Sequence, residues 1–207
     1  MKLQVALDYF TIKEALDLMD VIHPFVSIVE LGSPLMYAEG FLAIKKMKEV
    51  YPEKIILADM KIVDGGYDIG KKAYEAGADI VTSIALTNDE TLKGLVRAAC
   101  EMKKEAMVDV IGVEDVLTRV REMDEMGFDY ILLHTAHDTL ASDVTAPIRD
   151  LEKTKAIVHH AKIGISGGIS SEQMNEISVA KPDWVVVGSA ITLSKDPLAE
   201  VKRIVSF

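Results

Sequence analysis

Asp59, Lys61 and Asp64 stand in the stretch LADMKIVDGG, two carboxylates and an ammonium spaced D-x-K-x-x-D at the end of the apolar run IILA. In an extended chain residues two apart share a face, so Asp59 and Lys61 point the same way. A pair of opposite charges held there can bind a substrate oxygen and stabilise negative charge as it develops. In an arbitrary loop Lys61 would snorkel to water, and Asp64-Gly65-Gly66 would be a turn. Similar groups close other apolar runs: Asp8 after LQVAL, Glu30 in VSIVELG, Asp109 in AMVDVIG and His134 in YILLHT, with the pair Gly167 and Gly168 in GISGGIS and the pair Gly188 and Ser189 in VVVGSA. Asp8 could equally cap the helix that follows it. Glu30 is harder to dismiss, because an acid in a run buried on both sides is costly unless paired or bound to a metal. His134 and His137 could bond the loop or form a two-histidine metal site. The glycine pairs admit close approach of backbone N–H groups at a helix start, which suits an anion.

What could bring these groups to one place is a regular alternation along the chain. Eight β-branched apolar runs begin at Leu3, Val26, Lys54, Asp79, Ala106, Tyr130, Ala161 and Asp183, each followed by helical periodicity. In TIKEALDLMDVI, for example, Ile12, Ala15, Leu16, Met19 and Ile22 repeat at the spacing of one helix face. Gly77 and Gly127 suit left-handed helix ends. Strand then helix, eight times, means parallel strands with crossover helices. An open doubly wound sheet is the competitor, but eight near-equal units with no G-x-G-x-x-G after the first strand favour an α/β fold of the closed (β/α)8 TIM barrel type, one domain over residues 1–207. Active groups of such barrels lie at the carboxyl ends of the strands, and seven of the eight runs deliver one there. The loops after strands seven and eight are the frequent phosphate site.

Composition excludes several other classes. With 207 residues, 49% hydrophobic, the chain can bury one sizeable core. A net charge of -10 argues against nucleic acid or an anionic membrane as partner. The lone Cys100 reads as a buried thiol, and His159 and His160 as structural residues at a helix end. HDTLASDVTAP reads as the loop after strand six. A start without a leader pattern, and no long apolar span, point to a soluble cytoplasmic protein.

Taken together, LQVALD, VELGSP, LADMKIVDGG, EAGADIVT, VDVIGVED, LLHTAHD, ISGGIS and VVVGSAIT resemble the orotidine 5'-monophosphate decarboxylase suprafamily. Within it they are similar to the branch of 3-hexulose-6-phosphate synthase and 3-keto-L-gulonate-6-phosphate decarboxylase. The resemblance implies a ribulose-phosphate-binding barrel and a Mg2+ ion held by Glu30 and Asp59. It implies Lys61 beside an enediolate, Asp8 on a substrate hydroxyl, and Asp64 reaching into the site of the other subunit of a homodimer. VDVI with Asp109 and HT after strand six resemble the synthase, which joins ribulose 5-phosphate to formaldehyde. His134 would then carry the proton, with Asp109 orienting or sharing it. His137 stands where the decarboxylase has an arginine and would touch substrate; Ser33 replaces a usual threonine. Decarboxylase chemistry is the alternative, and a non-catalytic binding barrel a third reading. Orotidine 5'-monophosphate decarboxylase itself is disfavoured, because the pattern K-x-x-D-x-K-x-x-D expected of it is absent, Lys54 standing too early in the chain.

Overall fold

The computed structural model describes residues 2–139 and 146–207, without the side chains of residues 146 and 147. Eight parallel strands follow one another around a closed barrel: β1 (Lys2–Leu7), β2 (Ile28–Leu31), β3 (Ile55–Ile62), β4 (Ile80–Ile84), β5 (Glu105–Asp109), β6 (Tyr130–His134), β7 (Lys162–Ser166) and β8 (Trp184–Val187). Pairing of Leu3 with Val185 and of Val5 with Val187 closes it. The expected fold and all eight expected strands are present. Ten α-helices among the described residues surround the barrel: α1 (Ile12–Ile22), α2 (Ser33–Glu39), α3 (Phe41–Val50), α4 (Gly66–Glu75), α5 (Asp89–Met102), α6 (Val116–Met126), α7 (Ala146–Lys155), α8 (Met174–Ala180), α9 (Ser189–Thr192) and α10 (Pro197–Val205). The loop expected after β6 is a short 3-10 turn at His137–Thr139, then residues 140–145, which lie outside the described part, and then α7.

Alternation along the strands builds two cores. One face looks into the barrel, where Ala6, Ile28, Leu57, Ile80, Met107, Tyr130, Leu132, Trp184 and Val186 fill the interior. Trp184 meets Tyr130 edge to face, with ring centroids 5.2 Å apart. Gly164, beside Trp184 in the ladder, makes room for the indole, since a Cβ there would lie 2.1 Å from it. The other face packs on the helices: Val5, Leu7, Val29, Leu31, Ile56 and Ala58 join Ala15, Met19 and Ile22 of α1. Gly77 and Gly127 have the left-handed φ expected of helix ends, +114° and +92°. Ser170 and Gln173 form a capping box around a 3-10 turn at Ser171–Gln173, which leads directly into α8.

Three aspartates stitch the end of the barrel where the strands begin. Asp79, Asp129 and Asp183, each just ahead of an even-numbered strand, accept the backbone N–H groups of Ile56, Ala106 and Ile163 on the preceding strand, at 2.8–2.9 Å. Asp79 also holds Lys48 at 2.7 Å and Lys104 at 2.6 Å, and these cations, against the opposing effect of burial, keep its carboxyl below the ordinary range. Asp124, near the end of α6, accepts three successive N–H groups from His159, His160 and Ala161 at 2.7–2.9 Å. The two histidines thus lie beyond α7, serving through their backbone and not through a helix dipole. Cys100 corrects another expectation: it is exposed. The buried face of α5 is Thr91, Leu92, Leu95, Ala98 and Ala99. At 3.6 residues per turn, a position five past Leu95 is turned about 140° away from it.

Candidate active site

At the carboxyl ends of the strands a cavity of about 570 Å³ opens, lined by eleven of the twelve residues singled out from the sequence: Asp8, Glu30, Asp59, Lys61, Asp109, His134, His137, Gly167, Gly168, Gly188 and Ser189. Asp64 is the exception. It is exposed, its Oδ1 accepts the N–H of Gly65 at 2.8 Å, and it borders a separate surface depression with Tyr67, Asn88 and Arg97.

Lys61 is the hub of the charged groups. Its Nζ donates to Asp59 Oδ2, lies 3.8 Å from Asp109 Oδ2 and 3.4 Å from Ser33 Oγ. Burial disfavours the ammonium, yet the neighbouring carboxylates of Asp59 and Asp109 outweigh it and push its pKa up. Asp59 is 5% exposed and saturated: Thr82 donates to Oδ1 at 2.9 Å, and Ser33 to Oδ2 at 2.7 Å. Burial pulls its pKa up, but the Lys61 charge and these hydrogen bonds together hold it below the ordinary value. Asp109 is pinned by the N–H of Ile111 on Oδ1, at 2.9 Å, and Oδ2 meets His134 Nδ1 at 2.7 Å. With Nδ1 engaged by the carboxylate, the other ring nitrogen of His134 is the one left for chemistry.

Glu30 sits deeper. Its Oε2 accepts from Gln4 Nε2 at 2.7 Å, and burial followed by the charge of Asp59 pushes its carboxyl up to about 8. Two hard carboxylates that raise the cost of each other's charge fit a small divalent cation. Magnesium takes one or two protein carboxylates and completes its shell with water and substrate. Among the described residues no cluster of three or more His, Cys, Asp or Glu ligands is present, so a two-histidine centre at His134 and His137 has no third ligand. Asp8 has its pKa raised by burial and then by Asp59; Gly32 makes room for it, since a Cβ there would fall 2.1 Å from its Oδ1, and Gly188 lies close against its other oxygen. Gly167, at φ +108°, packs against Thr135, where a Cβ would lie 2.5 Å from the carbonyl oxygen, so the loop after β7 can take this path only with glycine.

Sequence reasoning passed over Gln4 and Thr82. Both are buried polar residues inside apolar runs, the same signal that drew attention to Glu30.

A closed eight-stranded barrel with two buried carboxylates, a half-buried lysine and glycine loops after β7 and β8 defines a class, and the comparison agrees. The model of the orotidine 5'-phosphate decarboxylase / HUMPS family matches residues 1–204, and the chain belongs to that family. Within it, the chain is 43% identical over 197 residues to the 3-hexulose-6-phosphate synthase of Bacillus subtilis (strain 168), covering 95% of this chain and 93% of that protein. The crystal structure of 3-hexulose-6-phosphate synthase from Salmonella typhimurium superposes with a TM-score of 0.95 at 42% identity, covering 100% of this chain and 97% of that one. A 3-keto-L-gulonate-6-phosphate decarboxylase from Vibrio cholerae shares the fold, with a TM-score of 0.88 at 22% identity over 99% of this chain and 95% of that one.

Proposed function

We propose that the chain is a 3-hexulose-6-phosphate synthase, an aldehyde-lyase that adds formaldehyde to D-ribulose 5-phosphate through a 1,2-enediolate. The observation that carries this reading is the juxtaposition of the Lys61 ammonium with the Asp109–His134 pair in one cavity. It fits a reaction that needs both a base for a carbon-bound proton and a cation for the oxygens that then become negative. The likeness to two synthases at 42% and 43% identity supports the same choice over the more distant decarboxylase.

In this reading the phosphate rests on the loops of Gly167, Gly168, Gly188 and Ser189, and Asp8 and His137 meet the sugar. His134 takes the C1 proton of ribulose 5-phosphate on Nε2, while Asp109 fixes the tautomer and shares the imidazolium charge. Lys61 neutralises the resulting enediolate oxygens. The electron pair at C1 then forms the new carbon–carbon bond to formaldehyde, whose oxygen takes up a proton. Glu30 and Asp59 are the residues that would hold Mg2+, which when bound supplies further positive charge to the substrate oxygens. Asp64 completes the site of a second subunit. Its exposure outside its own cavity suits this role, as does the exposed apolar Val63 next to it, whose carbonyl is held by Thr87 on the β4 side. No helix among the described residues is long and apolar enough to cross a membrane, in keeping with a cytoplasmic enzyme.

The test is to incubate the protein with Mg2+ and ribulose 5-phosphate, with and without formaldehyde, and separately with 3-keto-L-gulonate 6-phosphate, following products by carbon NMR. Formaldehyde-dependent hexulose phosphate is expected. Rapid carbon dioxide release with only trace aldol product would replace this reading with the decarboxylase.

A further inference from the structure

The ladder between β3 and β4 is irregular at the point where the chemistry sits. Ala58 pairs with Val81 and Ile62 with Ser83, so three residues of β3, positions 59 to 61, stand opposite the single residue Thr82. Lys61 adopts the left-handed region at φ +43°, one of three non-glycine residues among those described to do so. A lysine in that region is strained and persists only where the surroundings hold it there. Two hydroxyls of β4 span the bulge. Ser83 Oγ donates to the Ile62 carbonyl at 2.6 Å, on the far side from the cavity, and Thr82 Oγ1 works on the near side.

Thr82 is 2% exposed, and its hydroxyl uses both of its capacities on the D-x-K element. It accepts the backbone N–H of Lys61 at 2.9 Å and donates its proton to Asp59 Oδ1, also at 2.9 Å. One oxygen atom therefore fixes the backbone from which Lys61 projects and the carboxylate against which its ammonium rests. We propose that Thr82 is a positioning residue: it shapes the β3 bulge so that the Lys61 ammonium sits between Asp59 and Asp109, without itself touching substrate. The inference rests on the enediolate chemistry proposed above, because that is the reaction for which the placement of this ammonium matters. Near-attack geometry is sensitive to displacements of about 1 Å, which can cost on the order of a hundredfold in rate.

The experiment compares Thr82→Val, which keeps shape and loses the hydroxyl, with Thr82→Ser, which keeps the hydroxyl. Thr82→Val is expected to lower kcat for formaldehyde-dependent hexulose phosphate formation by roughly ten- to a hundredfold, with KM for ribulose 5-phosphate changed less than about threefold. Thr82→Ser should recover most of that loss. Lys61 is followed independently of turnover by amide hydrogen exchange and by a crystal structure of Thr82→Val. The Lys61 N–H should lose its protection, and Nζ should leave the gap between Asp59 and Asp109. Turnover within about twofold of the natural protein, a loss that Ser does not relieve, or an unmoved Lys61 in the Val variant would each overturn the proposal. If the natural protein is itself inert toward ribulose 5-phosphate and formaldehyde, the functional reading fails on that control, and the exchange and structural readouts still decide whether Thr82 holds the lysine in place.

Discussion

Replacing Glu30 by glutamine should make the protein more stable while abolishing turnover. Burial, and then the nearby charge of Asp59, raise the Glu30 carboxyl from an ordinary 4.5 to about 8. The sign follows from linkage. Below pH 4.5 the group is protonated in both the folded and unfolded chain and contributes nothing. Between 4.5 and about 8 only the unfolded chain releases its proton freely, so folding carries a growing penalty. At about 1.4 kcal/mol per pH unit this reaches an order-of-magnitude cost of about 3 kcal/mol at pH 7. Glutamine removes the charge and keeps the shape. It also brings a donor next to Gln4, whose buried Oε1 has no partner. With roughly 2–4 °C per kcal/mol for a domain of this size, Tm should rise by about 6–12 °C at pH 7 in EDTA, and the gain should vanish near pH 4.5. Adding Mg2+ should raise the Tm of the natural protein and leave the variant nearly unchanged. Thermal unfolding at several pH values, with and without Mg2+, reads all of this. A variant no more stable than the natural protein at pH 7, or a gain of the same size at pH 4.5, would refute the reasoning.

Other outcomes follow from individual contacts. His134→Gln should stop exchange of the C1 proton of ribulose 5-phosphate with solvent, read by proton NMR, while titration calorimetry still detects substrate binding. Asp124→Ala leaves three backbone N–H groups without their acceptor and should cost about 3–4 kcal/mol in urea unfolding at pH 7, since hydrogen bonds to a charged group count for about 1.5–3 kcal/mol each and their losses are not additive. Burial opposes the charged form of Asp124, but these N–H groups hold its carboxyl below the ordinary 3.8; its stabilisation is therefore full above that value and fades as pH falls through the lower folded one, and the gap between the two proteins should narrow in acid. Gly164→Ala drives a methyl to within 2.1 Å of the Trp184 ring and should destabilise by about 1–3 kcal/mol, with a changed tryptophan emission, this being the single tryptophan of the chain.

Much of the barrel was legible because parallel strands covered on both faces must be apolar throughout, so Glu30, Asp59, Asp109 and His134 stood out against their own strands. Their convergence in one cavity followed from the rule that strand ends share a rim. What escaped was register. Strict alternation puts Asp59 and Lys61 on one face, and they do meet, but through a bulge with a left-handed lysine that a pattern of residue types does not reveal. Thr82 was passed over for the same reason, since a threonine in DIVTSIA looks like an ordinary β-former until the strand opposite is known. Cys100 was misjudged because its small apolar neighbours hid its angular position on α5. Asp64 was legible as part of the signature, but the structure places it outside the cavity that the other eleven residues line.

The three aspartate stitches make the barrel a two-ended object. Asp79, Asp129 and Asp183 fasten neighbouring strands at the end remote from the cavity. There the bonds are between backbone and carboxylate, indifferent to which side chains line the opposite mouth. Durability and reactivity are thereby assigned to different residues. A chain built in this way can exchange its catalytic rim, one loop at a time, for a different carbonyl chemistry and still close its ring, which makes it a natural starting point for laboratory evolution of new aldol acceptors.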